Sequence, residues 1–224
     1  MTLEQALAQL HDAGDPDRAA GAAAYHKAER PYWGVPVPVI TDLARSWRER
    51  LDIPARVAVA DGLWRANVHE ARIAAAKLLT QARIRPDEEV WRLIASWVPQ
   101  FDSWAIADHA CDAGERRLVA DPSRIDEVEG WTRHDRFWVR RAALVITLPW
   151  TKQNHPTDHD LAIRDRVLGW AADMADDREW FIQKAIAWWL RDLSKHDAPR
   201  AHAFLAAHGH RLKPFARKEA GKYL

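Results

Sequence analysis

FWVRRAA, Phe137 to Ala143, returns in character as WFIQKAI, Trp180 to Ile186, 43 residues further along the chain. Both blocks open on aromatic rings, pass through cationic or amide side chains and close on small or aliphatic ones. A period of that length accommodates two helices and their turns, the unit of a helical repeat. Elsewhere apolar residues recur at steps of three and four, as at Trp91, Ile94, Ala95 and Val98, the spacing of a buried helical stripe. No segment rich in Val, Ile and Thr keeps a period of two, so no sheet is expected. Short helices joined by short turns can stack into a curved solenoid whose concave face holds an extended ligand. A closed helical bundle meets the same periodicity.

The rest of the chain fits that frame. Its 224 residues suffice for one compact domain or one short helical array, and 48% hydrophobic with 29% charged residues is the profile of a folded soluble protein. The single cysteine, Cys111, makes no internal disulfide, and a reducing compartment, the cytoplasm, is the expectation. No run is long and apolar enough to span a bilayer, and Met1 to Gln9 lacks the basic start and apolar core of a signal peptide. The formal net charge of +1 hides an asymmetry. From Trp131 onward Lys and Arg exceed Asp and Glu, and before it the acids are in excess, so the C-terminal part is suited to an anionic partner.

Caps and breakers place the helices. Thr2 with Glu4 and Gln5 opens a first helix, and Asp15–Pro16 a second that carries Tyr25 and reaches Glu29. PYWGVPVPV, Pro31 to Val39, cannot be regular helix, and Tyr32 and Trp33 either anchor it to the core or face a ligand. Helices follow from about Val39 to Glu49 and from Asp52 to Trp64. Asn67 and Glu70 have capping-box spacing ahead of ARIAAAKLL, Ala71 to Leu79. Pro86 marks the next start, and Asp102 caps a helix that Gly114 can end. Arg116–Arg117 and the acidic Asp126, Glu127 and Glu129 flank a short element. Further helices are expected from Asp135 to Leu148, Asp158 to Met174 and Asp176 to Leu193, with Asp176 and Glu179 as another capping box. Two more run from Pro199 to Ala207 and after Pro214.

Within this frame FDSWAIAD, Phe101 to Asp108, stands out. A helix puts Trp104 and Asp108 one turn apart on one face. Trp138 and Arg141 can share a face in the same way, and Lys184, Trp188 and Arg191 follow at i, i+4 and i+7. Aromatic rings alternating with cations make poor core, because isolated buried charge is costly. They suit a phosphate backbone and the less polar parts of a nucleotide. Trp138 and Trp189 read more readily as core anchors, and Arg191 has Asp192 beside it as a partner. A lone carboxylate such as Asp108 is either a surface residue or a charge stabiliser. The histidines form no HExxH or other metal-ligand spacing, and no glycine-rich phosphate loop is present. No metal and no cofactor are expected.

Taken together, PYWGVPVPV, SWAIAD at Ser103 to Asp108, FWVRRAALV at Phe137 to Val145, FIQKAIAWWLRDLSK at Phe181 to Lys195 and KPFARKEAGKYL at Lys213 to Leu224 resemble the AlkD-like DNA alkylation repair glycosylases. That resemblance implies an all-α fold, a right-handed superhelical array of antiparallel HEAT-like helix pairs with a concave DNA-binding face, as one domain over 1–224. It implies excision of cationic alkylated purines, notably 3-methyladenine and 7-methylguanine, from double-stranded DNA. Matched residue by residue, Asp108, Trp104 and Trp188 are the expected catalytic residues, and Arg141, Trp104, Trp188, Lys184 and Arg191 the expected DNA contacts. A monomer without an obligate protein partner is the simplest expectation. The family's central motif commonly carries consecutive tryptophans, where this chain has Ser103, Trp104 and Ala105. The alternative is a non-enzymatic HEAT-like scaffold that binds protein or structured nucleic acid.

Overall fold

A computed structural model describes residues 1–224 as an all-α array of helical repeats without a strand. The chain divides into two compact units, Met1–Ala120 and Asp121–Leu224.

The first unit holds α1 (Leu3–Asp12), α2 (Pro16–His26), α3 (Val37–Arg48), α4 (Ile53–Arg65), α5 (His69–Leu79), α6 (Glu88–Trp97) and α7 (Trp104–Ala120). Its centre is α5, which packs against α3, α4 and α7 and buries every residue except Lys77. Ala71, Ala74, Ala75 and Ala76 let those neighbours approach closely, and Ile73, Leu78 and Leu79 supply the large apolar area. Burying each of those three contributes roughly 1.5–3 kcal/mol.

The charged residues that break the α5 pattern have local partners. Glu70 does not cap α5: Val68 is the N-cap, and Asn67 takes a left-handed conformation. The Glu70 carboxylate instead accepts from the backbone amides of Trp33 and Gly34, at 3.0 and 2.7 Å. Those bonds hold the proline-rich loop to the core. Gly34 is needed there because its φ is +75° and a Cβ would lie 2.2 Å from the Asp15 carbonyl oxygen.

Other boundaries differ from expectation for identifiable reasons. Lys27 enters the left-handed region and closes α2 three residues after Ala24, short of Glu29. Pro38 lies inside the first turn of α3, where a missing amide hydrogen costs nothing. Gly114 does not end α7, which continues to Ala120 because Ala113, Gly114, Arg117 and Leu118 all have buried packing positions. Arg117 is not a surface cation. It is fully buried and donates to the carbonyls of Gln81, Ala82 and Ile84 and to Asp87.

The second unit holds α8 (Ile125–Trp131), α9 (Phe137–Val145), α10 (Asp158–Asp173), α11 (Trp180–Ser194), α12 (Ala198–His208) and α13 (Pro214–Ala220). Here α11 is central and packs against α9, α12 and α13. The expected Asp176–Glu179 capping box is not made: Asp176 pairs with Arg211, while Asp177 accepts from the Glu179 amide at 2.9 Å.

The repeat seen in the sequence has a structural counterpart. In α9, Arg140 donates to the His134 carbonyl at 2.7 Å; in α11, Gln183 donates to the Asp177 carbonyl at 2.8 Å. Equivalent positions thus grip the loop six residues upstream of themselves, one by a guanidinium and one by an amide. Trp138 and Phe181, also equivalent, meet with ring centroids 4.6 Å apart.

Candidate functional site

On α7, Ala105, Ile106 and Ala107 are buried between two residues that are not. Trp104 is 38% exposed and Asp108 is half-buried, one turn further on. Packing of these three residues against the unit's interior therefore turns the indole and the carboxylate outward together. Asp102, ahead of the helix, forms an ion pair with Arg30, whose side chain is almost fully buried.

Behind Trp104 lies a cluster of rings from α2, the proline-rich loop and α5. Tyr25 meets the Trp104 indole edge-on with centroids 6.3 Å apart, and His26 meets it at 5.6 Å. His26 in turn lies 4.5 Å from His69, and Tyr32 stacks on His69 at 4.8 Å. Tyr32 thus joins the ring cluster, while the neighbouring Trp33 packs edge-on with His11 and gives its amide to Glu70.

Burial holds these imidazoles neutral. It pushes His69 down to about 3, aided by repulsion from His26, Arg30 and His109. It pushes His109 down to about 4, aided by Lys77 and opposed by Asp112 and Asp108. His26 is lowered by burial against the pull of Glu70. The floor beneath Trp104 and beside Asp108 accordingly adds no histidine cation at neutral pH.

In the second unit Arg141 is only 4% exposed, its guanidinium 5.7 Å from the Trp138 ring and 6.0 Å from that of Phe181. Trp138 is buried beside it. On α11, Trp189 is fully buried and donates to Thr147 Oγ1 at 3.2 Å, so the outward indole of the doubled pair is Trp188. Trp188 donates to Asp192 at 3.1 Å. Arg191 pairs with Asp192 and with Glu219 of α13, an arrangement that ties the last helix to α11.

Between α11 and α13 is a groove of about 590 Å³. Lys184, Trp188 and Arg191 line it from one side, Phe215, Lys218 and Lys222 from the other. Lys184 Nζ sits 4.7 Å from the centroid of Trp180, which stacks on Phe215 at 5.8 Å. The structure therefore gathers the three expected residues of α11 into one basic, aromatic groove, and sets Trp104 with Asp108 on α7. Arg141 belongs to the ring cluster at the start of α9. No group of three or more His, Cys, Asp or Glu side chains is placed to hold a metal ion.

With this geometry in hand, a family model described as DNA alkylation repair enzyme matches residues 6–224. The chain belongs to that family. Among solved structures, a protein described as a predicted DNA alkylation repair enzyme from Enterococcus faecalis superimposes with a TM-score of 0.77 at 23% identity, over 94% of this chain and 96% of its own. AlkD2 from Streptococcus mutans gives 0.64 at 17% identity over 84% and 90%. The protein smu.31 from Streptococcus mutans UA159 gives 0.63 at 17% identity over 83% and 91%. At these identities the likeness concerns the fold. No curated protein matches the chain.

For a member of the DNA alkylation repair family, four residues of interest escaped the sequence reading: Tyr25 against Trp104, and Phe215, Lys218 and Lys222 around the groove. Tyr25 looked like an ordinary helix residue because its partner is 79 positions away. Lys218 and Lys222 did carry a signal, an i, i+4 cationic pair in KPFARKEAGKYL.

Proposed function

We propose that this DNA alkylation repair enzyme is a monofunctional DNA glycosylase that hydrolyses the N-glycosidic bond of cationic alkylated purines in double-stranded DNA, leaving an abasic site. The observation that carries the reading is the outward pair on α7, a partly exposed indole and a carboxylate one turn apart.

The chemistry suits so small a site. Alkylation of a purine at the relevant ring nitrogen, as in 3-methyladenine or 7-methylguanine, gives the base a positive charge. It then departs as a neutral molecule, and no general acid is required. As the bond to C1′ breaks, positive charge develops on the sugar. The Asp108 carboxylate stabilises that charge and orients the water that attacks C1′. Trp104, one turn from Asp108, packs on the sugar and limits access of bulk water, and Trp188 packs on the DNA backbone. The neutral His26, His69 and His109 leave the local field favourable to a developing cation.

Arg141 and Lys184 bind phosphates. The Arg141 guanidinium itself lies beside the Trp138 and Phe181 rings, a placement that suits a planar cation better than an ammonium, and Arg141→Lys is expected to bind DNA less tightly than the parent protein. Arg191 contributes chiefly through its ties to Asp192 and Glu219.

The test is release of free purine from methylated duplex DNA. A glycosylase yields 3-methyladenine or 7-methylguanine and an equal number of abasic sites. A scaffold yields neither above the protein-free control, and a metal-dependent nuclease breaks strands directly and stops when a chelator is added.

A further inference from the structure

We propose that the groove between α11 and α13 binds an unpaired nucleotide of a single-stranded DNA segment, its base on the Trp180 and Phe215 rings and its phosphates on Lys184, Lys218 and Lys222. The inference rests on the reading of the protein as a DNA-binding repair enzyme and adds a subsite to it.

Rings that serve only to anchor a helix are buried by the packing they provide. Trp180 and Phe215 stack on one another yet stay 46% and 37% exposed, on the wall of a groove of about 590 Å³. That volume lies within the roughly 300–1,000 Å³ of pockets that enclose a small organic ligand. The three lysine side chains are exposed, and Arg191 is already matched by Asp192 and Glu219, so the remaining charge of the groove is positive.

Cations beside accessible aromatic faces are the combination that single strands use. Phosphates meet the charges, and a base offers its π-face to a ring. In a duplex that face is covered by the neighbouring base pairs, so an exposed aromatic wall favours an unstacked nucleotide over a paired one. The Arg191–Glu219 pair has a positioning role here, because it fixes α13 across from α11 and sets the width of the groove.

The experiment is fluorescence anisotropy with a labelled oligothymidylate of about eight nucleotides, a length within the site size of one small single-strand-binding fold. Wild-type protein is expected to bind it with an affinity that falls as salt rises. Trp180→Ala should weaken that binding on the order of tenfold, and more than it weakens binding of an undamaged duplex. Lys218→Ala/Lys222→Ala should reduce the salt slope by about one to two. The lysine variant changes only exposed side chains and carries the test should Trp180→Ala fold poorly. Absence of oligothymidylate binding, or equal weakening of single strand and duplex by Trp180→Ala, would overturn the proposal. So would an unchanged salt slope in the lysine variant. Oligothymidylate contains no damaged purine, so this readout stands or falls separately from base excision.

Discussion

Asp108 and Trp104 owe their position to the residues between them. Ala105 and Ala107 are small enough to let α7 approach the interior, Ile106 is buried there, and the helix period does the rest. Replacing Ala105 by Trp would put a large ring at a buried position of a packed helix face; overpacking of this kind costs about 1–3 kcal/mol, and a lower urea midpoint would register it. Beneath the pair, the neutral histidines make stability depend on pH. The unfolded chain takes up a proton on His69 near its ordinary value of 6.5, whereas the folded protein does so only near 3. The unfolded state therefore binds more protons between those values, and stability is complete above about 6.5 and is lost as pH falls toward 3. Urea unfolding midpoints are thus expected to drop between pH 6.5 and 4, and to drop less in His69→Gln. Parallel curves for the two proteins would refute the assignment.

Elements were more legible than their ends. Thr2, Asp15 and Asp52 each accept the backbone amide expected of a helix cap, and the 43-residue repeat marks α9 and α11 correctly. Two other capping patterns misled, because the carboxylates at Glu70 and Asp176 have stronger long-range partners, a pair of loop amides and Arg211. Spacing along a sequence cannot reveal a partner that the fold supplies from 36 residues away. The Glu70 carboxylate is buried, and the bonds it accepts are charge-assisted. Glu70→Ala should accordingly cost about 1.5–3 kcal/mol in urea unfolding, more than truncation of an exposed cap such as Thr2, which should cost about 1 kcal/mol. Equal costs would mean that the loop is held by its prolines and rings alone.

At the scale of the molecule, the family match runs through both units, from residue 6 to 224, and the groove lies wholly in the second, more basic one. The α-helical class was readable from periodicity and resemblance, and the spacing of Lys184, Trp188 and Arg191 put them on one face of α11, where they line one groove. The aromatic floor under Trp104 and the α13 wall of the groove were not readable, because tertiary packing assembles them from segments far apart in the chain. DNA affinity is expected to be strongly salt-dependent despite a net charge of only +1, since the cations of the second unit, and not the total, set the number of phosphate contacts. Arg141→Ala should lower the slope of log affinity against log salt by about one, and an unchanged slope would remove Arg141 from the interface. The central claim concerns one carboxylate. Its most direct test is single-turnover release of 7-methylguanine from methylated duplex DNA at saturating protein. Asp108→Asn is predicted to bind that DNA nearly as well as the parent protein and to release the base at least on the order of a hundredfold more slowly; release at the parent rate would contradict the account.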